Sequence, residues 1–152
     1  MRLRAVVVDD EPLARKRLRR LLAEYPEMEV AGEAADGIQA CRVIDELKPD
    51  VVFLDVEMPG PSGFEVLANL HHRPRIVMVT AHDEFAVRAF EEQALDFLLK
   101  PVEPARLART LARLQEPATQ HPVNGRDEFQ RLLEAVARTP GHVVSPCAAG
   151  LR

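Results

Sequence analysis

The sequence predicts an α/β fold in which one parallel sheet of five strands is covered by helices on both faces. Five short apolar runs alternate along the chain with five stretches of helical periodicity. Strict alternation of strand and helix implies right-handed crossovers between parallel strands. Most of the runs are continuously apolar, which is typical of strands that are buried on both faces of a sheet.

The strands are predicted from these apolar runs and from the polar residues that end them. The run at 28–33 alternates loosely and predicts a strand that is more exposed than the first. The run at 51–54 is β-branched or aromatic at three of its four positions, which favours a buried strand. The five predicted strands cover residues 5–8, 28–33, 51–54, 76–79 and 94–99.

The first helix has a start signal in Pro12, which suits the first helical position, and it ends before Pro26. Its apolar face follows the spacing i, i+4, i+7 and i+8, and consists of Ala14, Leu18, Leu21 and Leu22. We interpret the opposite, basic face as solvated, because charged helix faces usually are. That face carries Arg15, Lys16, Arg17, Arg19 and Arg20.

The second helix is opened by Asp36 and Gly37 and closed by Lys48 and Pro49. Its inward face is predicted to carry Ile38, Cys41, Ile44 and Leu47. We interpret Cys41 as a small apolar packing residue rather than a reactive thiol.

Three shorter helices complete the unit. The third carries Phe64, Leu67 and Leu70. It stops near His71 and His72, which do not share a helix face and are interpreted as exposed rather than metal-binding. Asp83 is predicted to cap the fourth helix. The fifth begins near Pro104, and its inward residues are Leu107, Leu111 and Leu114.

Composition narrows the class of protein. Apolar residues make up 47% of the 152 residues and charged residues 29%, which is typical of a globular chain. No apolar run approaches the roughly 18 residues of a membrane span, and no signal peptide is recognisable. Cys41 and Cys147 lack metal-binding or redox spacing, so a reducing cytoplasm is the expected location.

Charge and composition divide the chain into two parts. Residues 1–116 carry 16 Lys and Arg against 21 Asp and Glu, a net charge of −5. Residues 117–152 carry 4 against 3, a net charge of +1, so neither part has the basic excess of a nucleic-acid-binding surface. We therefore predict one domain at 1–116, followed by a linker at 117–152 that includes a helix at 127–138 and an irregular tail.

Polar residues follow four of the five predicted strands and are chemically complementary. Because the carboxyl ends of parallel strands gather at one edge, we expect these residues to meet there. They are Asp9, Asp10, Asp55, Thr80 and Lys100. Crowded carboxylates repel one another unless a cation neutralises them, and their hard oxygen atoms suit Mg²⁺.

This set predicts phosphoryl transfer to the protein itself. Asp55 would act as the nucleophile, while Thr80 donates a hydrogen bond to a phosphoryl oxygen and Lys100 balances the developing negative charge. A strand-ending aspartate alone is equally consistent with a turn cap. The complementary residues after the other strands favour the phosphoacceptor interpretation.

The chain resembles the receiver domain of two-component response regulators. The motifs are the Asp-Asp pair at 9–10, Phe-Leu-Asp-Val-Glu-Met-Pro-Gly at 53–60, Val-Thr-Ala at 79–81 and Leu-Leu-Lys-Pro at 98–101. The resemblance implies a flavodoxin-like (βα)5 fold with strand order 2-1-3-4-5. It also implies phosphotransfer to Asp55 from the phosphohistidine of a sensor histidine kinase.

The resemblance further implies the metal ligands and a switch. Asp10 and Asp55 would bind Mg²⁺ with the backbone carbonyl of Glu57, and Asp9 would act through water. Thr80 would move toward the phosphoryl group while Phe97 turns inward behind it. Glu57 and His82 occupy positions that tune acyl-phosphate hydrolysis in the family, and a cis peptide would precede Pro101. The protein would be no enzyme beyond reactions at its own Asp55.

Three longer motifs resemble the LytTR (LytR/AlgR-type) subfamily of transcription regulators. They are Asp-Asp-Glu-Pro-Leu-Ala-Arg at 9–15, Thr-Ala-His-Asp-Glu-Phe-Ala-Val-Arg-Ala-Phe at 80–90 and Ala-Leu-Asp-Phe-Leu-Leu-Lys-Pro-Val at 94–102. The resemblance implies output through the surface at 84–115, by homodimerisation. Binding to DNA would require an output domain that these 152 residues do not include, and no contact with a membrane is expected.

Two other functions compete with this one. A stand-alone receiver would pass its phosphoryl group along a relay or bind a protein target. A hydrolase with an aspartyl-phosphate intermediate would use Glu57 as its acid, two residues after Asp55, but the chain lacks a cap domain and gives Asp9 and Asp10 no role.

Overall fold

The computed structural model describes residues 2–116, in which five strands alternate with five α-helices. The strands are β1 (Leu3–Val8), β2 (Met28–Ala34), β3 (Val51–Leu54), β4 (Arg75–Thr80) and β5 (Asp96–Leu99). The helices are α1 (Pro12–Leu22), α2 (Gly37–Leu47), α3 (Gly63–Asn69), α4 (Ala86–Glu91) and α5 (Pro104–Leu114). The linker and helix predicted within 117–152 lie outside the described residues.

The five strands form one sheet in the order β2-β1-β3-β4-β5, and every pairing is parallel. Both the fold class and the strand order are therefore confirmed. The strand β2 is only partly buried along most of its length, as its loose alternation predicted. All four residues of β3 are buried, because this strand lies at the centre of the sheet and is covered on both sides.

Successive residues of the central strands face two separate hydrophobic cores. One core contains Val52 and Leu54 of β3 with residues of α2, α3 and α4. The other contains Val51 and Phe53 with residues of α1 and α5. This two-sided burial is the physical reason that the strands are continuously apolar in sequence.

Three predictions about α2, α4 and β5 were wrong. Ile38 is 62% exposed, because α2 buries the face that carries Gly37, Ala40 and Ile44, and the side chain of Ile38 points away from it. Asp83 does not cap α4, since a 3₁₀-helix at Asp83–Phe85 precedes it and moves the start of the α-helix to Ala86. The strand β5 begins two residues later than predicted.

The register of the sheet sets the positions of the strand ends. Val8 of β1 pairs with Leu54 of β3, so the residues that follow them leave the sheet side by side. The backbone N–H of Asp55 donates to the carbonyl of Val8 at 3.0 Å, and the N–H of Lys100 donates to that of Thr80 at 2.9 Å. These hydrogen bonds extend the strand pairing by one residue, so they fix the backbone of Asp55 and Lys100 relative to the neighbouring strands.

A close approach of α3 supports the loop after β3. Gly63, the first residue of α3, lies against the backbone carbonyl of Asp55, and a Cβ atom there would collide with that oxygen. The N–H of Gly63 donates to the carbonyl of Val56 at 2.8 Å. A capping box between Ser62 and Glu65 then starts the helix. The backbone around Asp55 is therefore held by contacts from the strand and the helix.

Candidate phosphoacceptor and metal site

Three carboxylates meet at the carboxyl edge of the sheet. Oxygen atoms of Asp9, Asp10 and Asp55 all lie within 4.8 Å of one another. Asp9 and Asp55 are each only 4% exposed, whereas Asp10 is exposed. The structure thus brings together the three aspartates that the sequence predicted, although Asp10 and Asp55 are 45 positions apart in the chain.

Lys100 crosses from β5 to these carboxylates. Its Nζ atom lies 2.6 Å from Asp9 Oδ2, 3.2 Å from Asp55 Oδ2 and 3.3 Å from Glu11 Oε1. The peptide bond between Lys100 and Pro101 is cis, as predicted. Burial acts to lower the pKa of Lys100, but the hydrogen bond to Asp9 and the negative charges of Asp55 and Asp9 outweigh it and raise that pKa. Lys100 is therefore a permanent cation in an acidic site.

Asp55 is held in an environment that disfavours its charge. Burial is the largest cause and raises the pKa of Asp55 to about 6; Lys100 opposes this shift, and Asp9 adds to it. The side chain is nonetheless ionised for the most part at neutral pH, as a nucleophile must be. A carboxylate with this pKa gains stability from any added cation, which fits a magnesium site.

The two buried carboxylates are oriented by backbone N–H groups. The N–H of Glu11 donates to Asp9 Oδ1 at 2.9 Å, and the N–H of Glu57 donates to Asp55 Oδ1 at 3.3 Å. In both cases Lys100 contacts the other oxygen, Oδ2. Partners on both oxygen atoms fix the plane of each carboxylate, and the Oδ2 atoms of Asp9 and Asp55 both face Lys100.

Thr80 and Phe97, the two residues of the predicted switch, are both buried. Both have no exposed surface, and Thr80 ends β4 while Phe97 lies within β5. The hydroxyl of Thr80 accepts a hydrogen bond from the N–H of His82 at 3.3 Å. Phe97 packs in the core shared with α2, α3 and α4. Their movement on phosphorylation, and the role of the Glu57 carbonyl as a ligand, remain predictions.

The tertiary structure adds contacts at the rim that the sequence interpretation missed. Glu57 Oε1 lies 2.6 Å from His82 Nε2, so two positions named separately form a pair. The ring of His82 also meets Phe85 edge-on, with centroids 6.2 Å apart. Glu11, which directly follows the Asp-Asp pair, also contacts Lys100. Its place beside that pair was the only feature of the sequence that could have indicated this contact.

The donor set fits Mg²⁺. All three aspartates offer hard oxygen atoms, and one of them is exposed and therefore open to a partner phosphate or water. Burial, and to a smaller extent the charge of Asp9, raises the pKa of Asp55 against the opposing charge of Lys100. A divalent cation would stabilise the charged form of this buried carboxylate.

The strand order, the five alternating helices and the acidic edge define a flavodoxin-like receiver fold. The chain belongs to the response regulator receiver domain family, whose model matches residues 5–112. No helix within residues 2–116 has the length and apolar character needed to cross a membrane.

Several known proteins are similar to this chain. Transcriptional regulatory protein BtsR of Escherichia coli strain K12 is 44% identical over 142 residues, which are 92% of this chain and 59% of that protein. An uncharacterized response regulatory protein of Vibrio cholerae is 50% identical over 114 residues, which are 74% of this chain and 48% of that protein. The chain thus spans about half to three-fifths of the length of these relatives.

Solved structures of other response regulators are similar to this protein over most of the chain. The response regulatory domain of protein mrkE from Klebsiella pneumoniae superposes with a TM-score of 0.68 at 30% identity, covering 85% of this chain and 99% of that one. A two-component response regulator of the LuxR family from Aurantimonas sp. SI85-9A1 gives a TM-score of 0.68 at 36% identity, covering 75% and 86% of the two chains.

Proposed function

We propose that this protein is a phosphorylation-driven switch that accepts a phosphoryl group on Asp55 from a sensor histidine kinase in the cytoplasm. The observation that carries the proposal is the contact of Lys100 Nζ with both Asp9 and Asp55, at 2.6 and 3.2 Å, inside a cluster of three aspartates. Carboxylates and a lysine in such contact provide a nucleophile, a cation site and a charge that balances the transferring oxygens.

In the proposed reaction, a carboxylate oxygen of Asp55 attacks phosphorus. The bond between phosphorus and the imidazole nitrogen of the kinase's phosphohistidine breaks as the acyl-phosphate bond forms, and the electron pair leaves with the imidazole. Lys100 Nζ already lies 3.2 Å from Asp55 Oδ2, which places its charge beside the oxygens that gain negative charge. The hydroxyl of Thr80 would donate to one of them.

Asp10, Asp55 and the backbone carbonyl of Glu57 would hold Mg²⁺, with Asp9 acting through water. When bound, the ion neutralises carboxylate and phosphoryl oxygens. The support lies in the distances among the three carboxylates, whose oxygen atoms lie within 4.8 Å of one another. The protein would have no catalytic activity on an external substrate, since the acceptor is its own side chain.

The output is proposed to be control of transcription, and the subfamily to be LytTR. The three motifs at 9–15, 80–90 and 94–102 support this subfamily, as does the similarity to a protein named as a transcriptional regulator. The proposed output surface, at 84–115, would act by homodimerisation, and an additional domain would bind DNA. The alternative is a stand-alone receiver, which would pass its phosphoryl group along a relay or bind a protein target.

The test is incubation of the 152-residue chain with Mg²⁺ and acetyl phosphate, followed by intact mass measurement. We expect one added phosphoryl group, which is lost in Asp55→Ala and on chelation of the metal. Asp45→Ala is the matched control, because this aspartate lies on α2 and binds the backbone of His71 and His72. Equal labelling of Asp55→Ala and the wild type would refute the assignment of Asp55.

A further inference from the structure

Arg15 on α1 is not solvated, contrary to the interpretation of the basic face of this helix. Its side chain is only 19% exposed, and its guanidinium contacts two acceptors in different elements. Nη1 donates to the backbone carbonyl of Asp9 at 2.7 Å, and Nε donates to Glu33 Oε1 of β2 at 3.1 Å. The fork of one arginine thus joins the turn after β1 to the neighbouring strand.

We propose that Arg15 is a positioning residue for the magnesium site, which it serves by fixing the peptide that links Asp9 to Asp10. This inference rests on the proposed function and extends it to a residue that binds neither metal nor phosphate. The carbonyl that Arg15 holds belongs to the same peptide unit as the N–H of Asp10. Because the peptide unit is planar, its orientation fixes the position of the Asp10 Cα atom, from which the side chain of Asp10 starts.

Asp10 depends on its backbone more than its neighbours do. Asp9 is held by its N–H to Ala34 at 3.1 Å, by Glu11 at Oδ1 and by Lys100 at Oδ2. Asp55 is held by the N–H of Glu57 and by Lys100. Among the interactions of residues 2–116, the exposed carboxylate of Asp10 makes no comparable hydrogen bond or ion pair. The position of Asp10 as a metal ligand therefore depends on the peptide that Arg15 holds.

The two hydrogen bonds that Arg15 makes, to the Asp9 carbonyl and to Glu33, require a guanidinium. A planar fork can donate to a carbonyl and a carboxylate at once, whereas the single ammonium group of lysine is a compact charge on a flexible stem. Glu33 is itself fixed from its second oxygen, since Arg19 Nη1 lies 2.8 Å from Glu33 Oε2. A chain of contacts therefore runs from Asp9 through Arg15 and Glu33 to Arg19. It connects the loop after β1 with α1 and β2 beside the three aspartates.

Arg19 provides a matched control, because it shares Glu33 with Arg15 and does not touch Asp9. Arg15→Met and Arg19→Met each remove one positive charge and one ion pair to Glu33 while keeping most of the aliphatic stem. Only the first releases the Asp9 carbonyl. A difference between the two variants therefore reports on that single hydrogen bond.

The experiment is a titration of the full chain with Mg²⁺ alone, followed by the backbone amide shifts of Asp10 and Val56 in NMR spectra. Loss of an outer-shell partner typically weakens metal binding by about 10- to 100-fold. We expect the Mg²⁺ dissociation constant to rise at least about 10-fold in Arg15→Met and less than about 2-fold in Arg19→Met. The Mg²⁺ concentration for half-maximal labelling by acetyl phosphate should rise in the same proportion.

Arg15→Lys keeps the positive charge and removes the planar guanidinium, so it separates the effect of the charge from that of the hydrogen-bond geometry. Circular dichroism checks the folding of each variant, and Arg15→Lys serves as the test if Arg15→Met does not fold. We expect weakened Mg²⁺ binding in this variant too, since the fork is lost although the charge stays. Wild-type affinity in Arg15→Lys, or equal affinity in Arg15→Met and Arg19→Met, would overturn the inference and leave the phosphoacceptor role intact. A wild-type chain that neither binds Mg²⁺ nor accepts a phosphoryl group would instead refute the proposed function.

Discussion

Replacing Asp55 by asparagine should stabilise the metal-free protein at neutral pH, even though it abolishes the proposed acceptor. Burial raises the pKa of this carboxyl from 3.8 to about 6, so the folded state binds its proton more tightly than the unfolded state does. Stability therefore falls as the pH rises from about 4 to about 6, and above that range the full penalty is present. Asparagine keeps the shape of the side chain and carries no charge at any pH.

The magnitude follows from the size of the shift. A change from 3.8 to about 6 corresponds to about 3 kcal/mol, at roughly 1.4 kcal/mol for each pH unit. The mouth of the site is open to solvent, which screens part of this energy, so we expect a gain of about 1–2 kcal/mol in the free energy of unfolding. For a chain of this size, such a gain raises the melting temperature by roughly 2–8 °C.

The assay is urea unfolding of the wild type and Asp55→Asn at pH 8, 6 and 4 in the presence of a chelator. The difference in the free energy of unfolding should be largest at pH 8 and should disappear near pH 4, where the wild-type carboxyl is protonated in the folded state. Added Mg²⁺ should stabilise the wild type at pH 8 more than the variant. A variant that is less stable at pH 8, or a difference that does not change with pH, would refute the reasoning.

Three further perturbations probe neighbouring contacts. Lys100→Met should slow labelling by acetyl phosphate about 100-fold, because a preorganised charge at the transferring oxygens is lost; a time course of intact mass measures this, and an unchanged rate would exclude the role. Asp96→Asn should lower the free energy of unfolding by about 3 kcal/mol at pH 7, since it leaves Arg106 without its buried carboxylate. The pKa of Asp96 is lowered, chiefly by Arg106 against the effect of burial, so this difference should shrink as the pH falls below 3.8, and urea titrations at pH 7 and 3 test it. Gly63→Ala should cost about 1–3 kcal/mol in thermal unfolding through overpacking against Asp55, whereas a neutral effect would mean that α3 can move away.

Local patterns predicted the architecture well because the central strands are buried on both sides. Val51–Leu54 has to be apolar throughout, and such a run is recognisable without any partner. Helix ends were less predictable. Asp36 does cap α2, and its carboxylate accepts from the N–H of Gln39, yet Asp83 became part of a 3₁₀-helix. One residue with capping chemistry does not determine whether the chain after a strand begins an α-helix directly or passes first through a 3₁₀-helix.

The sequence by itself determined which groups could take part in the chemistry. Aspartate, threonine and lysine follow directly after apolar runs, and the parallel sheet places the ends of those runs at one edge, so their meeting required no knowledge of side-chain contacts.

The tertiary structure alone decided how these groups are held. The contact of Lys100 with Asp9 joins residues 91 positions apart, and the bridge of Arg15 from Asp9 to Glu33 depends on the register of α1 against β2. In sequence, Arg15 cannot be distinguished from the other basic residues of α1. Its role arises from position in space, because a hydrogen bond depends on distance and direction, and neither is encoded in the order of residue types along one helix.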